Sequence, residues 1–230
     1  MPILTGLESA LAAANERAWD ELYASTPELV WGTQPIAFLP RFLPPGDELP
    51  PGDVLDAAGG EGRNLPALLR LGRPVTLCDA SGAALAKIPA PLAAEVDTLL
   101  CSLDAIPLPD GRFSFILLSD TIETLPRPGP VLAELRRLLV PGGILLANIP
   151  DSNDGIAGRD MERIQGEGWL YRHRYFYRFY GRREAEGLLA QAGFEVGTFA
   201  DCEWDEPPHP NFREAVHRHR SQVFVARRVD

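Results

Sequence analysis

The chain has 230 residues, 45% of them hydrophobic, which is enough to bury one good core. Its 22 basic residues against 32 acidic leave a formal charge of −10, which opposes unaided attraction to a phosphate backbone or an anionic membrane surface and argues against nucleic acid as the partner. Cys78, Cys101 and Cys202 sit widely spaced in apolar runs and read as buried thiols of a reducing compartment; no basic-then-apolar run follows Met1 and no stretch approaches the roughly 20 apolar residues of a membrane span, so a cytoplasmic protein is expected.

Leu7, Leu11, Ala14, Ala18 and Leu22 recur at helical spacing with Trp19 and Tyr23 on an adjacent stripe, which predicts an amphipathic helix over residues 7–23. Ile36 to Leu43 is a second, shorter helix candidate, and Pro40 to Pro51 is dense in Pro and Gly and reads as a linker. From Asp53 short apolar runs alternate with helical segments. Val54-Leu55 precedes a helix near Asn64 to Leu71, Val75 to Cys78 one near Gly82 to Ile88, and Phe113 to Leu118 one over Pro130 to Leu139, after which Ile144 to Ile149 follows. Such alternation predicts a parallel, doubly wound α/β sheet, because parallel strands need crossover connections. Phe115-Ile116-Leu117-Leu118 suits a central strand buried on both faces. After a helix over Arg183 to Ala192 come runs starting at Phe194 and Ser221, joined by Asp205 to Arg220, which has little crossover-helix pattern and so permits an antiparallel final pair.

Glycines that follow a first strand let the backbone approach a ligand closely, and the helix predicted to begin there offers free N–H groups and a positive dipole end. The loop reads Ala57-Ala58-Gly59-Gly60-Glu61-Gly62, and a dinucleotide fingerprint starting at Gly60 would need Gly where Leu65 stands. Asp56, just before the glycines, would repel a pyrophosphate yet hold a ligand's ammonium group, directly or through water. Asp79 closes the second strand, where an acid can accept from both hydroxyls of a ribose. Asp104 follows a third apolar run, placed to accept from an adenine amino group. In this order the three acids outline one elongated ligand.

On these residues the chain resembles the class I S-adenosylmethionine-dependent methyltransferases. Asp56-Ala57-Ala58-Gly59-Gly60-Glu61-Gly62 is similar to their acid-x-Gly-x-Gly-x-Gly motif, with Ala58 in place of the first Gly and Gly60 and Gly62 matching the others. Leu138 to Gly143 is similar to the family's turn before strand five, and Leu189 to Phe194 to its turn into strand six. Trp31-Gly32-Thr33-Gln34-Pro35 and Gly62-Arg63-Asn64 resemble a small-molecule subgroup in which the upstream aromatic-Gly segment closes over the cofactor. The resemblance implies a Rossmann-like, seven-stranded, mostly parallel sheet with an antiparallel last strand and helices on both faces. It also implies residues 1–50 as helical lid and linker, 51–230 as the core domain, and a lid or pocket insertion at about 151–181. S-adenosyl-L-methionine is the implied cofactor, held by Trp31, Asp56, Ala58, Gly60, Gly62, Arg63, Asn64, Asp79, Ala80, Leu103, Asp104, Ala105, Ser119 and Asp120.

Transfer of a methyl group from a sulfonium depends on alignment and desolvation, with a general base needed only for a poorly ionised acceptor. Many relatives carry Glu-His after strand four, where this chain has Glu123-Thr124. Glu123 is a candidate for orienting the acceptor, with a carboxylate at a helix start as the plainer reading. Tyr171 to Tyr180, read as one strand, sets Tyr171, His173, Tyr175, Tyr177 and Phe179 on a face able to line an acceptor pocket, which adds His173 and Tyr175 as candidates. His209, His217 and His219 lack a completing metal-ligand set and read as surface histidines, so no metal is expected. The expected activity is methyl transfer to a small-molecule acceptor at O, N or another nucleophile. The alternatives are a non-catalytic or regulatory S-adenosylmethionine-binding protein, favoured by the missing His at Thr124, and a nicotinamide-dependent oxidoreductase.

Overall fold

A computed structural model describes residues 2–164 and 168–229, with side chains from Glu8 onward. The side chain of Leu7, first in the predicted stripe, and residues 165–167 of the expected insertion lie outside this description. Helix α1 spans Pro2–Ser25 and α2 the single turn Leu39–Phe42. Strand β1 (Asp53–Ala57) is followed by α3 (Leu65–Leu68), β2 (Val75–Asp79) by α4 (Gly82–Leu85) and α5 (Ala90–Ala93), and β3 (Asp97–Leu100) leads into β4 (Phe113–Leu118). Then come α6 (Pro128–Leu138), β5 (Leu139–Pro150), the short strands β6 (Met161–Arg163), β7 (Trp169–Tyr171) and β8 (Tyr175–Tyr177), α7 (Arg182–Gln191), β9 (Phe194–Glu206) and β10 (His217–Arg228).

Seven strands form one sheet in the order β3-β2-β1-β4-β5-β10-β9, while β6, β7 and β8 form a separate antiparallel sheet. β1, β2, β3, β4 and β5 pair in parallel, and β10 runs antiparallel to both β5 and β9. The fold is therefore the expected Rossmann-like one. Every residue of β4 is buried, as its unbroken apolar run requires for a strand covered on both faces. On one face Leu55, Ile116 and Leu145 pack with Val131, Leu135 and Leu138, the i, i+4, i+7 stripe of α6. On the other, Val54, Phe115, Leu117 and Leu146 pack with Leu65 and Leu68 of α3 and with Ile36, Phe38 and Leu39.

Several local expectations change. The helix predicted over Asn64 to Leu71 is one α turn followed by a 3-10 turn at Leu69–Leu71, so it carries little macrodipole and the cradle consists of the loop's own N–H groups. In α1, Ala14 is exposed and Asn15 is buried, because the Asn15 amide donates to the Thr124 carbonyl (2.8 Å) and accepts from Phe176 N–H (2.9 Å). Tyr171 to Tyr180 contains a hairpin in place of one strand. Tyr171 pairs with Tyr175, and the chain reverses through Arg172 and His173, at φ of 50° and 59°, leaving His173 exposed at the tip beside Glu162. All three cysteines are free as expected, but Cys101 and Cys202 are only half-buried.

The proline-rich linker is tied to the sheet by Arg73, whose guanidinium donates to the carbonyls of Gly46, Leu49, Pro50 and Gly52 and to Ser114 Oγ at 2.6–3.1 Å. With several charge-assisted bonds removed together, Arg73→Ala is expected to lose about 3 kcal/mol of stability. Thermal melts check this: the midpoint should fall by roughly 2–4 °C per kcal/mol for a chain of this size. No helix of the described residues is long and apolar enough to cross a membrane.

Candidate active site

At the C-terminal edge of the parallel strands lies a cavity of about 410 Å³. Ala58 and Gly60 after β1, Asp79 and Ala80 after β2, Leu103 and Asp104 after β3, and Ser119 and Asp120 after β4 all line it, as do Trp31, Arg63 and Asn64. Gly62 and Ala105 are not among the lining residues. Nor is Asp56, whose carboxylate is fully buried.

Backbone geometry explains the loop. Gly59 packs so closely that a Cβ there would come within 2.5 Å of Leu77 Cγ and 2.9 Å of Asp56 Cγ. Ala58 itself stands at φ 54°, so the one departure from the glycine motif costs about 1 kcal/mol of backbone strain. Asp79 accepts from Gly60 N–H (2.9 Å) and Ser81 N–H (2.8 Å), joining the first two strand ends. Burial pushes its carboxyl up to about 6 against those bonds. Both Asp56 oxygens lack a hydrogen-bond partner, and burial pushes that carboxyl up to about 7, with Arg63 acting in the opposite direction. An orphaned carboxylate beneath the loop is consistent with a cationic ligand above it, although Asp56 sits too deep to line the cavity. Asp104 is exposed, with Ser102 Oγ donating to it at 2.9 Å.

Elements on the other side of the cavity close it over. Asp20 of α1 accepts from Ser81 Oγ (2.6 Å) and Ala83 N–H (3.2 Å) at the start of α4, and Trp31 Nε1 donates to Tyr23 Oη at 2.8 Å. Trp19, Trp31, Tyr175 and Phe212 form one aromatic cluster, in which the Trp19 and Tyr175 ring centroids lie 4.7 Å apart. Tyr177 reaches the cavity lining, whereas the candidates Tyr175 and His173 do not. Tyr175 is spent in the aromatic cluster, and the hairpin reversal carries His173 away from it. Glu123 stands in the first turn of a 3-10 helix at Ile122–Thr124, as the plainer reading has it, and is also buried and lines the cavity with its Oε2 unpartnered. Burial first, and the Asp120 charge second, hold the Glu123 carboxyl well above its usual range.

The reading of His209, His217 and His219 as surface residues is overturned. β10 pairs with β5 only from Ser221 onward, but its ladder with β9 continues back to His217↔Glu206, and this extension reaches the cavity. His209 and His219 are buried, and all three histidines line it. His219 Nδ1 bonds Asp154, and its Nε2 lies 3.5 Å from Asp120. Burial opposes the protonated ring, yet these two carboxylates outweigh it and raise His219 to about 10, so it is an imidazolium at neutral pH. Burial with Arg213 nearby lowers His217 to about 4. Arg63 bridges Asp120 (2.9 Å) and Glu206 (3.2 Å). No group of three or more potential metal ligands occurs among the described residues.

A family model described as a methyltransferase domain matches residues 32–198, well over half of the chain. A ubiquinone/menaquinone biosynthesis C-methyltransferase of Methylobacterium nodulans is 36% identical over 100 residues, 40% of each chain. A probable S-adenosylmethionine-dependent methyltransferase of Mycolicibacterium smegmatis is 30% identical over 63% of this chain and 52% of its own, so the alignments span about half or less of these relatives. Among solved structures, the Burkholderia thailandensis 1,6-didemethyltoxoflavin-N1-methyltransferase, with bound 1,6-didemethyltoxoflavin and S-adenosylhomocysteine, shares the fold at a TM-score of 0.65, 22% identity, and 97% and 91% coverage. A structure from echinomycin biosynthesis does so at 0.68, 16% identity and 93% of both chains. These matches displace the nicotinamide oxidoreductase alternative. The chain belongs to the methyltransferase-domain family.

Proposed function

We propose that this chain methylates a small-molecule acceptor held in the inner part of the cavity, between the strand-end loops and the cover formed by α1, the β7–β8 hairpin and the β9–β10 extension. The observation that carries this reading is a cavity of about 410 Å³ whose lining joins the strand-end acids to aromatic and titratable side chains from that cover. Asp79 and Asp104 would accept hydrogen bonds from the nucleoside part of the cofactor, the Ala58–Gly60 backbone would cradle it, and Asp56 would act through its negative charge beneath the loop. When bound, S-adenosylmethionine supplies an activated methyl group. The neighbour solved with a bound heterocycle supports an acceptor of that scale.

Within this reading Glu123 takes the proton that a protic O–H or N–H acceptor releases on methylation. It must be ionised to do so, and its carboxyl is held high, so the rate should rise with pH as Glu123 loses its proton. Glu123→Gln is expected to lower kcat roughly 100-fold or more with such an acceptor, to flatten that pH rise and to change KM little. Calorimetric titration with S-adenosylmethionine and S-adenosylhomocysteine, followed by methyl-donor consumption across a broad acceptor panel, tests the whole reading. Absence of binding by either in folded protein sinks it, and binding without turnover on any acceptor favours the non-catalytic alternative.

A further inference from the structure

The cavity contains a cation that the protein itself leaves unpaired. Arg213 is 8% exposed and lines the cavity. Its Nη2 donates to the Gly155 carbonyl at 2.8 Å, but its Nη1 has no hydrogen-bond partner, and no carboxylate pairs with it among the described residues. Asp154, the carboxylate whose charge acts on Arg213, is already engaged by His219 and by Arg220 N–H (2.7 Å), and of the other lining carboxylates Asp120 is engaged by Arg63 (2.9 Å) and Asn148 (2.7 Å) and Glu206 by Arg63 (3.2 Å). A guanidinium removed from water without an anion is costly, and one kept at a cavity wall is a site awaiting an anion. A second donor in the same cavity, Trp19 Nε1, is likewise buried and unpartnered. Indole and guanidinium N–H groups only donate, so the matching ligand group is a pure acceptor, and the fork of Arg suits a planar oxyanion. The walls are aromatic, with Phe212, the residue before Arg213, lying 5.3 Å from the Trp19 ring and 5.4 Å from the Trp31 ring.

The geometry points to a methyl acceptor that is a planar aromatic molecule carrying an anionic oxygen, a carboxylate or an ionised ring hydroxyl, which pairs with Arg213 while Trp19 donates to the same ligand and the rings of Trp19, Trp31 and Phe212 pack on its face. This assignment rests on the small-acceptor reading above and deepens it. In its electrostatics it selects against amines, because a cationic acceptor would leave Arg213 unpaired and add a like charge beside it.

The test uses the full chain saturated with S-adenosylhomocysteine. Salicylate and quinaldate serve as flat carboxylates, cyclohexanecarboxylate as a carboxylate that is not flat, and tryptamine as a flat cation. Binding is followed by calorimetry and by quenching of tryptophan fluorescence. Both flat carboxylates are expected to bind at least roughly tenfold more tightly than the other two probes. Arg213→Gln should weaken them roughly tenfold or more, and Trp19→Phe, which keeps a ring and removes the N–H, roughly threefold, with S-adenosylhomocysteine affinity changed less than about twofold in each. Should Arg213→Gln fail to fold, the wild-type selectivity and Trp19→Phe decide alone. Tryptamine binding as tightly as salicylate, unchanged carboxylate affinity in the variants, or no carboxylate binding at concentrations of order 10 mM overturns the assignment while leaving methyl transfer standing. Failure of S-adenosylhomocysteine itself to bind sinks both.

Discussion

Asp79→Ala is expected to weaken S-adenosylhomocysteine binding roughly 100-fold, because two charge-assisted hydrogen bonds to a ribose diol at about 1.5 kcal/mol each amount to that factor. A carboxylate offers about four acceptor positions, and although Gly60 N–H and Ser81 N–H bond Asp79 and Ala80 N–H also acts on it, acceptor capacity remains for a ligand in the cavity that Asp79 lines. Asp104→Ala is the natural control: Asp104 is exposed, water competes for its bonds, and the loss should stay below about tenfold. Because burial holds Asp79 near 6, affinity should also fall as the pH drops through that value and the charged acceptor is neutralised. Calorimetry of the wild type and both variants between pH 5 and 8 measures all of this. A change under about threefold in Asp79→Ala would remove the residue from the binding set.

Asp56→Asn is expected to raise the stability of the cofactor-free protein at pH 8 while weakening its hold on the cofactor. In the unfolded chain this carboxyl ionises near its ordinary value of 3.8, and in the folded protein burial raises that to about 7. Between these values the folded state keeps a proton that the unfolded state has lost, so stability declines as pH rises through the window and stays reduced above it. The full difference corresponds to about 4 kcal/mol. An asparagine amide also lacks partners at this site, and about 2 kcal/mol is the expected net gain. That is a rise in melting temperature of roughly 4–8 °C at pH 8, reversing to a fall of comparable size toward pH 4, where the wild-type carboxyl is protonated in the folded state and only the amide's missing partners count. Equal melting temperatures at pH 8 would mean that Asp56 is solvated or paired in solution. A gain accompanied by weaker S-adenosylmethionine binding would identify a stability cost retained for the ligand.

The strand-end side of the cavity was largely legible in the chain because its parts are local. Asp79 and Asp104 each follow an apolar strand run, and Gly59, where a side chain would strike Leu77, lies within a few residues of the strand that ends at Ala57. The helix after that strand was overestimated. Leu65, Leu68 and Leu69 give helical spacing whether the backbone continues as α or tightens to 3-10, so periodicity alone did not show that the α turn stops at Leu68. The aromatic segment was misread for a related reason: alternation at Tyr171, His173, Tyr175 and Tyr177 looks the same in one strand as in two strands whose turn uses up Arg172 to Arg174.

By itself the sequence determined the parallel core and the glycine loop, along with the order of acids along the sheet edge. Each depends on contacts within one strand–loop–helix unit, where spacing and side-chain chemistry carry the signal. Only the tertiary structure decided the covered side of the cavity, since its residues meet across long stretches of chain. Asn15 bonds Phe176 from 161 positions away, His209 bonds the Val30 carbonyl from 179, and His219 meets Asp154 from 65. Polar residues such as Arg213 and His219 carry no local mark of burial: Arg213 meets the Gly155 carbonyl across 58 positions, and His219 lies on the extension of the β9–β10 ladder past the edge of its neighbour β5.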